Sequence, residues 1–130
     1  MKISEVLKQD KPTLSFEVFP PKKDTDFAQV EAASTQIAAL NPSYMSVTYG
    51  AGGSTKGLTI RLAEEIQKKY DVATIAHLTC VCAGKDSIRQ ALSDMKAAGI
   101  ENILALRGDI PRDYEGEVLT LLMHQNLQNL

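Results

Sequence analysis

Four polar residues mark this chain at nearly even intervals: Glu17, Thr48, His77 and Asp109, separated by 31, 29 and 32 positions. Each lies in or closes a short apolar run, in the segments LSFEVFPPK, YMSVTYGAGGS, TIAHLTCVC and NILALRGD. A fully buried strand has no need of such residues. A strand, a turn and a returning helix together take about thirty residues. The spacing therefore predicts that the four groups gather at one end of one parallel sheet, the end where barrels and open α/β folds carry chemistry.

Taken singly, each group has more than one reading. Glu17 sits between Phe16 and Val18, directly before Pro20-Pro21. A strand glutamate can simply face solvent, but a carboxyl held among apolar groups keeps its proton more readily and can act as a general acid near neutral pH. Thr48 through Ser54 reads TYGAGGS, a glycine-rich passage from strand to helix. It is either a plain tight turn or a place where backbone and helix N-terminus approach a phosphate or flavin. It is neither a Rossmann fingerprint, lacking the third glycine, nor a P-loop, because Lys56 precedes Gly57. His77 can be a satisfied core or rim residue. A metal site with Cys80 and Cys82 is disfavoured, since H-x-x-C-x-C on one strand divides its ligands between two faces. Arg107-Gly108-Asp109 ends the fourth apolar run, with a glycine that permits close backbone approach. Its acid can hold a ring N–H or a ribose hydroxyl, or cap the next helix.

The elements that must position these groups follow from hydrophobic period. Residues 14–20 alternate as a strand and stop at the double proline. A helix follows with Phe27, Val30, Ile37 and Leu40 on one face, ended by Asn41-Pro42. A second strand begins near Tyr44. A second helix repeats Leu58, Leu62 and Ile66. A third strand spans about 73–79, and its helix opens with Ser87 and Gln90 at capping-box spacing and buries Ile88, Leu92 and Met95. Gly99 stands where a C′ glycine would close that helix. The fourth strand is 102–106, and the tail EGEVLTLLMHQNLQNL reads as one more helix. The order is β-α-β-α-β-α-β-α, which predicts an α/β fold with a parallel sheet and right-handed crossovers. A complete eight-unit barrel takes roughly 250 residues, so four units amount to about half of one.

Bulk properties exclude several classes. With 130 residues, 44% hydrophobic and 23% charged, the chain fits one ordinary globular domain. A net charge of −2, a pI near 5.6 and no Trp argue against nucleic acid or an anionic membrane as partner. No secretory h-region is present, and no stretch approaches the ~20 apolar residues of a membrane span. Cys80 and Cys82, two apart in a strand with side chains on one face, suit reduced thiols better than a disulfide. A cytoplasmic protein is expected.

As an ordered set, SFEVFPPK, SVTYGAGGS, AHLTC and LALRGD resemble the N-terminal half of the methylenetetrahydrofolate reductase family, over about residues 10–112. That family is a flavin-dependent TIM barrel which moves a hydride from NADH or NADPH through FAD to 5,10-methylenetetrahydrofolate, giving 5-methyltetrahydrofolate for methionine synthesis. The resemblance implies that residues 1–130 are the N-terminal part of such a domain, with (βα) units making about half of a (β/α)8 barrel and the tail 113–130 unmatched. It assigns Glu17 as the acid that opens the folate's bridging ring. It places Thr48 near the flavin face where nicotinamide stacks, Tyr49, Ala51 and His77 in the FAD pocket, and Arg107, Gly108 and Asp109 along the cofactor. Asp109 would also face the pterin of the folate substrate, and no metal is implied. The chain would be truncated relative to the family. Its barrel would need an oligomer or a partner chain for completion, and it could be a non-catalytic flavin-binding fragment or subunit. Another pterin-binding barrel with similar strand ends is the remaining alternative.

Overall fold

Period-two alternation sorts the strand residues onto two faces, and the helices take one of them. The computed structural model describes residues 1–50, 55–110 and 112. In chain order it contains α1 (Ile3–Val6), β1 (Ser15–Val18), a 3-10 turn (Asp24–Asp26), α2 (Phe27–Ala38), β2 (Tyr44–Val47), α3 (Lys56–Tyr70), β3 (Thr74–Thr79), α4 (Lys85–Ala97) and β4 (Asn102–Leu106). The strands form one sheet in the order β1-β2-β3-β4, every neighbouring pair parallel. Val18, Met45, Val47, Ala76 and Leu78 point from the sheet into a core completed by Phe27, Leu62, Ala63, Ile66, Ile88, Ala91 and Met95 from the helices. Leu62 and Met95 are fully buried, each contributing about 1.5–3 kcal/mol over an exposed position.

Strand order decides the architecture. When sequential strands are also spatial neighbours, crossovers of one hand place every connecting helix on the same side of the sheet. A doubly wound sheet needs a reversal of strand order to cover its second face, and none occurs here. The chain is therefore a parallel α/β protein with the arrangement of half a (β/α)8 barrel: three βα units and a fourth strand. The helix expected over the tail lies outside the described residues.

Several local features differ from their sequence expectations. The first strand is shorter than 14–20, because Phe19 and the two prolines have already left the sheet. Leu40 is not on the buried face of α2. The helix stops at Ala38, Asn41 turns the chain at φ 52°, and Leu40 is left exposed. Ser87 does not cap α4. The helix starts a turn earlier behind Gly84, so Ser87 falls in its first turn, and Gln90 donates to Asp94 Oδ1 instead (2.7 Å). Leu92 is only partly buried, and Ala91 takes the deeper position. Gly99 does close α4. At φ 75° it lets Ile100 N–H reach Met95 O and its own N–H reach Lys96 O, both at 3.0 Å, the paired bonds of a Schellman end.

Helix α1 has no periodic signal, since four residues are too few for one. It is held by Asn102, 99 positions after Ile3. That side chain accepts Ile3 N–H (2.9 Å) and donates to Met1 O (3.0 Å) and to Thr74 O (3.1 Å), tying α1 to the amino ends of β3 and β4. Replacing Asn102 by Ala removes all three bonds, two of them to the part-buried Ile3 N–H and Thr74 O. It should lower the unfolding free energy by about 1–3 kcal/mol, read as a fall in the urea midpoint at unchanged m-value.

Candidate active site at the carboxyl ends of the strands

The face of the sheet away from the helices carries Glu17, Ser46 and His77. Glu17 alternates with Phe16 and Val18, so those two side chains turn to the other face and do not surround it. The apolar enclosure expected from its sequence neighbours is absent, and its side chain is 49% exposed. What meets Glu17 comes instead from the adjoining strands. Ser46 is its register partner on β2 and donates its hydroxyl to Glu17 Oε2 at 3.3 Å. His77, two positions further along β3 than the level of Glu17, places Nε2 3.6 Å from the same oxygen. That distance is too long for a hydrogen bond and makes an ion pair only when the imidazole is protonated. His77 itself is buried, at 8% exposure. Thr48 follows Val47, whose partner is Ala76, so it stands level with His77. Glu17, Ser46 and His77 thus form one contact group spanning three strands, with Thr48 beside it.

Beyond β2 the chain enters the glycine-rich turn. Tyr49 is half-buried and packs against the core. Burial pushes its phenol pKa up, with smaller contributions from Cys80 and Asp94. A cleft of about 600 Å³ opens here, lined by Phe19, Pro20, Lys22, Thr48, Tyr49, Gly50 and Thr55. Ala51 lies outside the described residues. The segment 48–50 is held by Thr55, the residue directly before α3, and by Thr59 inside it. Thr59 donates to Thr48 O (2.9 Å), and Thr55 Oγ1 accepts Gly50 N–H (2.7 Å) and lies 3.3 Å from Thr59 Oγ1. The sequence signal was a polar residue three before Leu62, inside an otherwise apolar helical stripe. Ser46 was also legible in retrospect, 29 positions after Glu17.

At β4 the ladder continues past the strand: Cys80 N–H donates to Leu106 O (2.9 Å) and Val81 N–H to Arg107 O (2.7 Å). Gly108 follows at φ 83°, and a Cβ there would lie 2.3 Å from Thr79 Cγ2 and 2.9 Å from Val81 Cγ1. The close approach that this glycine permits is to the end of β3. Arg107 and Asp109 are exposed at the rim, and Arg107 Nε donates to Gly108 O (3.2 Å). No hydrogen bond or ion pair among the described residues joins Asp109 to Glu17, Thr48 or His77. The two cysteines do not share a strand face, because β3 ends at Thr79 and Cys82 turns at φ 60°. Both thiols are free, and burial raises the pKa of Cys80. Among the described residues no three His, Cys, Asp or Glu side chains converge as a metal site, and no helix is long and apolar enough to cross a membrane.

Parallel strands in sequence order, helices on one side and a polar group at the carboxyl ends on the other define a protein of the (β/α)-barrel class. Comparison with known proteins narrows this to a family. The family described as methylenetetrahydrofolate reductase matches residues 2–123, and the chain belongs to it. Among its relatives is a probable methylenetetrahydrofolate reductase (NADH) of Oryza sativa subsp. japonica, 39% identical over 110 residues, which are 85% of this chain and 18% of that protein. The methylenetetrahydrofolate reductase (NADH) 1 of Zea mays is 40% identical over 110 residues, with the same coverage. The 5,10-methylenetetrahydrofolate reductase of Pectobacterium carotovorum is 30% identical over 120 residues, 88% of this chain and 40% of that protein. The chain thus spans between 18% and 40% of the length of these relatives.

Two glycines give opposite expectations for one substitution. Gly108→Ala combines a left-handed backbone with overpacking against Thr79 and should destabilise by about 2–4 kcal/mol. Gly57→Ala, inside α3 with nothing within 4 Å of the added carbon, should stabilise by about 0.5–1 kcal/mol. Thermal unfolding of the two variants beside the parent checks both signs.

Proposed function

We propose that this chain supplies the Glu17 face of a flavin-dependent reductase that converts 5,10-methylenetetrahydrofolate to 5-methyltetrahydrofolate with NADH or NADPH as donor. It would serve methionine-directed one-carbon metabolism in the cytoplasm. The observation that carries the reading, beside family membership, is the placement of Glu17: a carboxylate on the open face, bonded to Ser46 and flanked by His77. A general acid must reach the nitrogen that it protonates, and a carboxylate facing the open side of the sheet is accessible to a bound ring. In its carboxylic acid form Glu17 would pass its proton to a folate ring nitrogen, whose bond to the bridging carbon breaks to leave an electrophilic iminium, and the resulting carboxylate would be held by Ser46. Residues 1–130 are read as the N-terminal part of the reductase domain.

The described residues fit FAD as a ligand. Thr48 lines an open cleft and stands level with His77 on the adjacent strand, and Arg107 exposes a cation at the rim. When bound, FAD supplies the hydride relay between nicotinamide and folate. Thr48, Tyr49, Ala51 and His77 would line the flavin. Arg107, Gly108 and Asp109 would run along the cofactor, and Asp109 would also face the pterin.

A second reading has a specific observation in its favour. Phe19 and Leu104 are 66% and 42% exposed, and no strand among the described residues pairs with the outer edge of β1 or β4. In this reading the chain binds flavin but turns over only when an oligomer or partner chain completes the barrel. Purified protein separates the two. Yellow material bleached by NADH or NADPH supports the reductase, bound FAD without bleaching supports the partner-dependent form, and failure to take up excess FAD contradicts both. In active material Glu17→Gln should reduce folate turnover at least ~100-fold while flavin reduction by the nicotinamide proceeds. Equal loss of both half-reactions would contradict the acid role.

A further inference from the structure

Thr59, inside α3, behaves unlike other helical hydroxyls in this molecule, and it acts together with Thr55, the residue directly before the helix. A Ser or Thr inside a helix ordinarily bonds back to the carbonyl four residues earlier. Ser34 and Thr35 of α2 do so, donating to Val30 O (2.8 Å) and Glu31 O (2.9 Å). Thr59 does not. It is fully buried, yet its hydroxyl leaves the local acceptor, Thr55 O, to its own N–H (2.8 Å) and donates across to Thr48 O at the end of β2. Because Thr59 gives its proton to a carbonyl, the neighbouring Thr55 hydroxyl must donate to Thr59 Oγ1, which leaves Thr55 Oγ1 to accept Gly50 N–H.

Both sides of the strand end are therefore fixed. Thr48 N–H donates to Val18 O (3.0 Å) on β1, its carbonyl is held by α3, and the amide two residues on is held as well. With the peptide groups on either side of Thr48 anchored, its side chain is committed to the open face, level with His77. We propose that Thr55 and Thr59 are positioning residues: acting through Thr48 and Gly50 from the helix side of the sheet, they set the geometry of the flavin-facing segment. The inference rests on the reading of this sheet end as a flavin site, but its backbone part can be tested without it.

The test uses the whole chain with Thr55→Val, Thr55→Ser, Thr59→Val and Thr59→Ser. Valine preserves shape and removes the hydroxyl, whereas serine preserves the hydroxyl and removes the methyl. Each valine variant should bind FAD about tenfold more weakly in a fluorescence titration, and each serine variant should stay within about twofold of the parent. Gly50 amide exchange, followed by NMR, should quicken at least ~10-fold in Thr55→Val and not in Thr55→Ser. Valine variants that bind FAD as tightly as the parent, or serine variants weakened equally, overturn the proposal. Should the parent bind no FAD, the functional reading fails and Gly50 exchange alone decides: unchanged protection in Thr55→Val overturns the brace, and lost protection restored by serine supports it. Should Thr59→Val not fold, the Thr55 pair carries the test.

Discussion

Met45, Val47, Ala76 and Leu78, all fully buried beneath the helices, impose the constraint on which the candidate site depends. They occupy alternate positions of the two central strands, so Ser46, Thr48, His77 and Thr79 have no choice of face. A slip of one residue in either strand would exchange the sets, sending an imidazole and a serine into the helix-side core and stranding Met45 or Leu78 in water. The cost of that exchange is what fixes register. Register in turn brings Glu17, Ser46 and His77 into contact, although 60 positions separate the first from the last.

Parallel sheets are normally covered on both faces, and the described residues cover only one. The open side still is not uniformly wet. His77 is buried there, whereas Glu17 is half exposed and Leu104 faces solvent. The uneven exposure places the driest part of this surface at the middle of the sheet, beside the polar group, and the wettest part at its two edges. In the proposed reading the middle receives the reacting rings and the edges receive further strands of the barrel.

Much of this was legible in the sequence because the governing signals were local. Four apolar runs at thirty-residue spacing gave the parallel sheet, β4 was read at its observed limits, and Gly99 marked the end of α4 where it occurs. Errors arose where a competing local turn or a distant partner decided the outcome. Leu40 matched the helical period, but the helix had already ended at Ala38. Ser87 had capping-box spacing, but Gly84 could open the helix earlier. Helix α1 depends on Asn102, 99 positions after Ile3. The surroundings of Glu17 were misjudged by consulting its sequence neighbours, when in a strand the relevant neighbours lie across the ladder. Thr59 escaped notice because threonine in an apolar helical stripe is ordinary, and Thr55 because a threonine just before a helix is equally so; only their hydrogen-bond partners show what they do.

The hydroxyl pair also has a fixed polarity. It begins at an amide, which can only give a proton, and ends at a carbonyl, which can only receive one. If Thr59 turned its hydroxyl to Thr55 Oγ1 instead, Thr48 O would lose its donor and the Thr55 hydroxyl would need a new acceptor. A hydroxyl chain with two equivalent orientations could relay protons. This one has a single orientation, so it is electrically quiet: a dipole of fixed direction behind the sheet, unaffected by proton movements on the face where Glu17 and His77 meet.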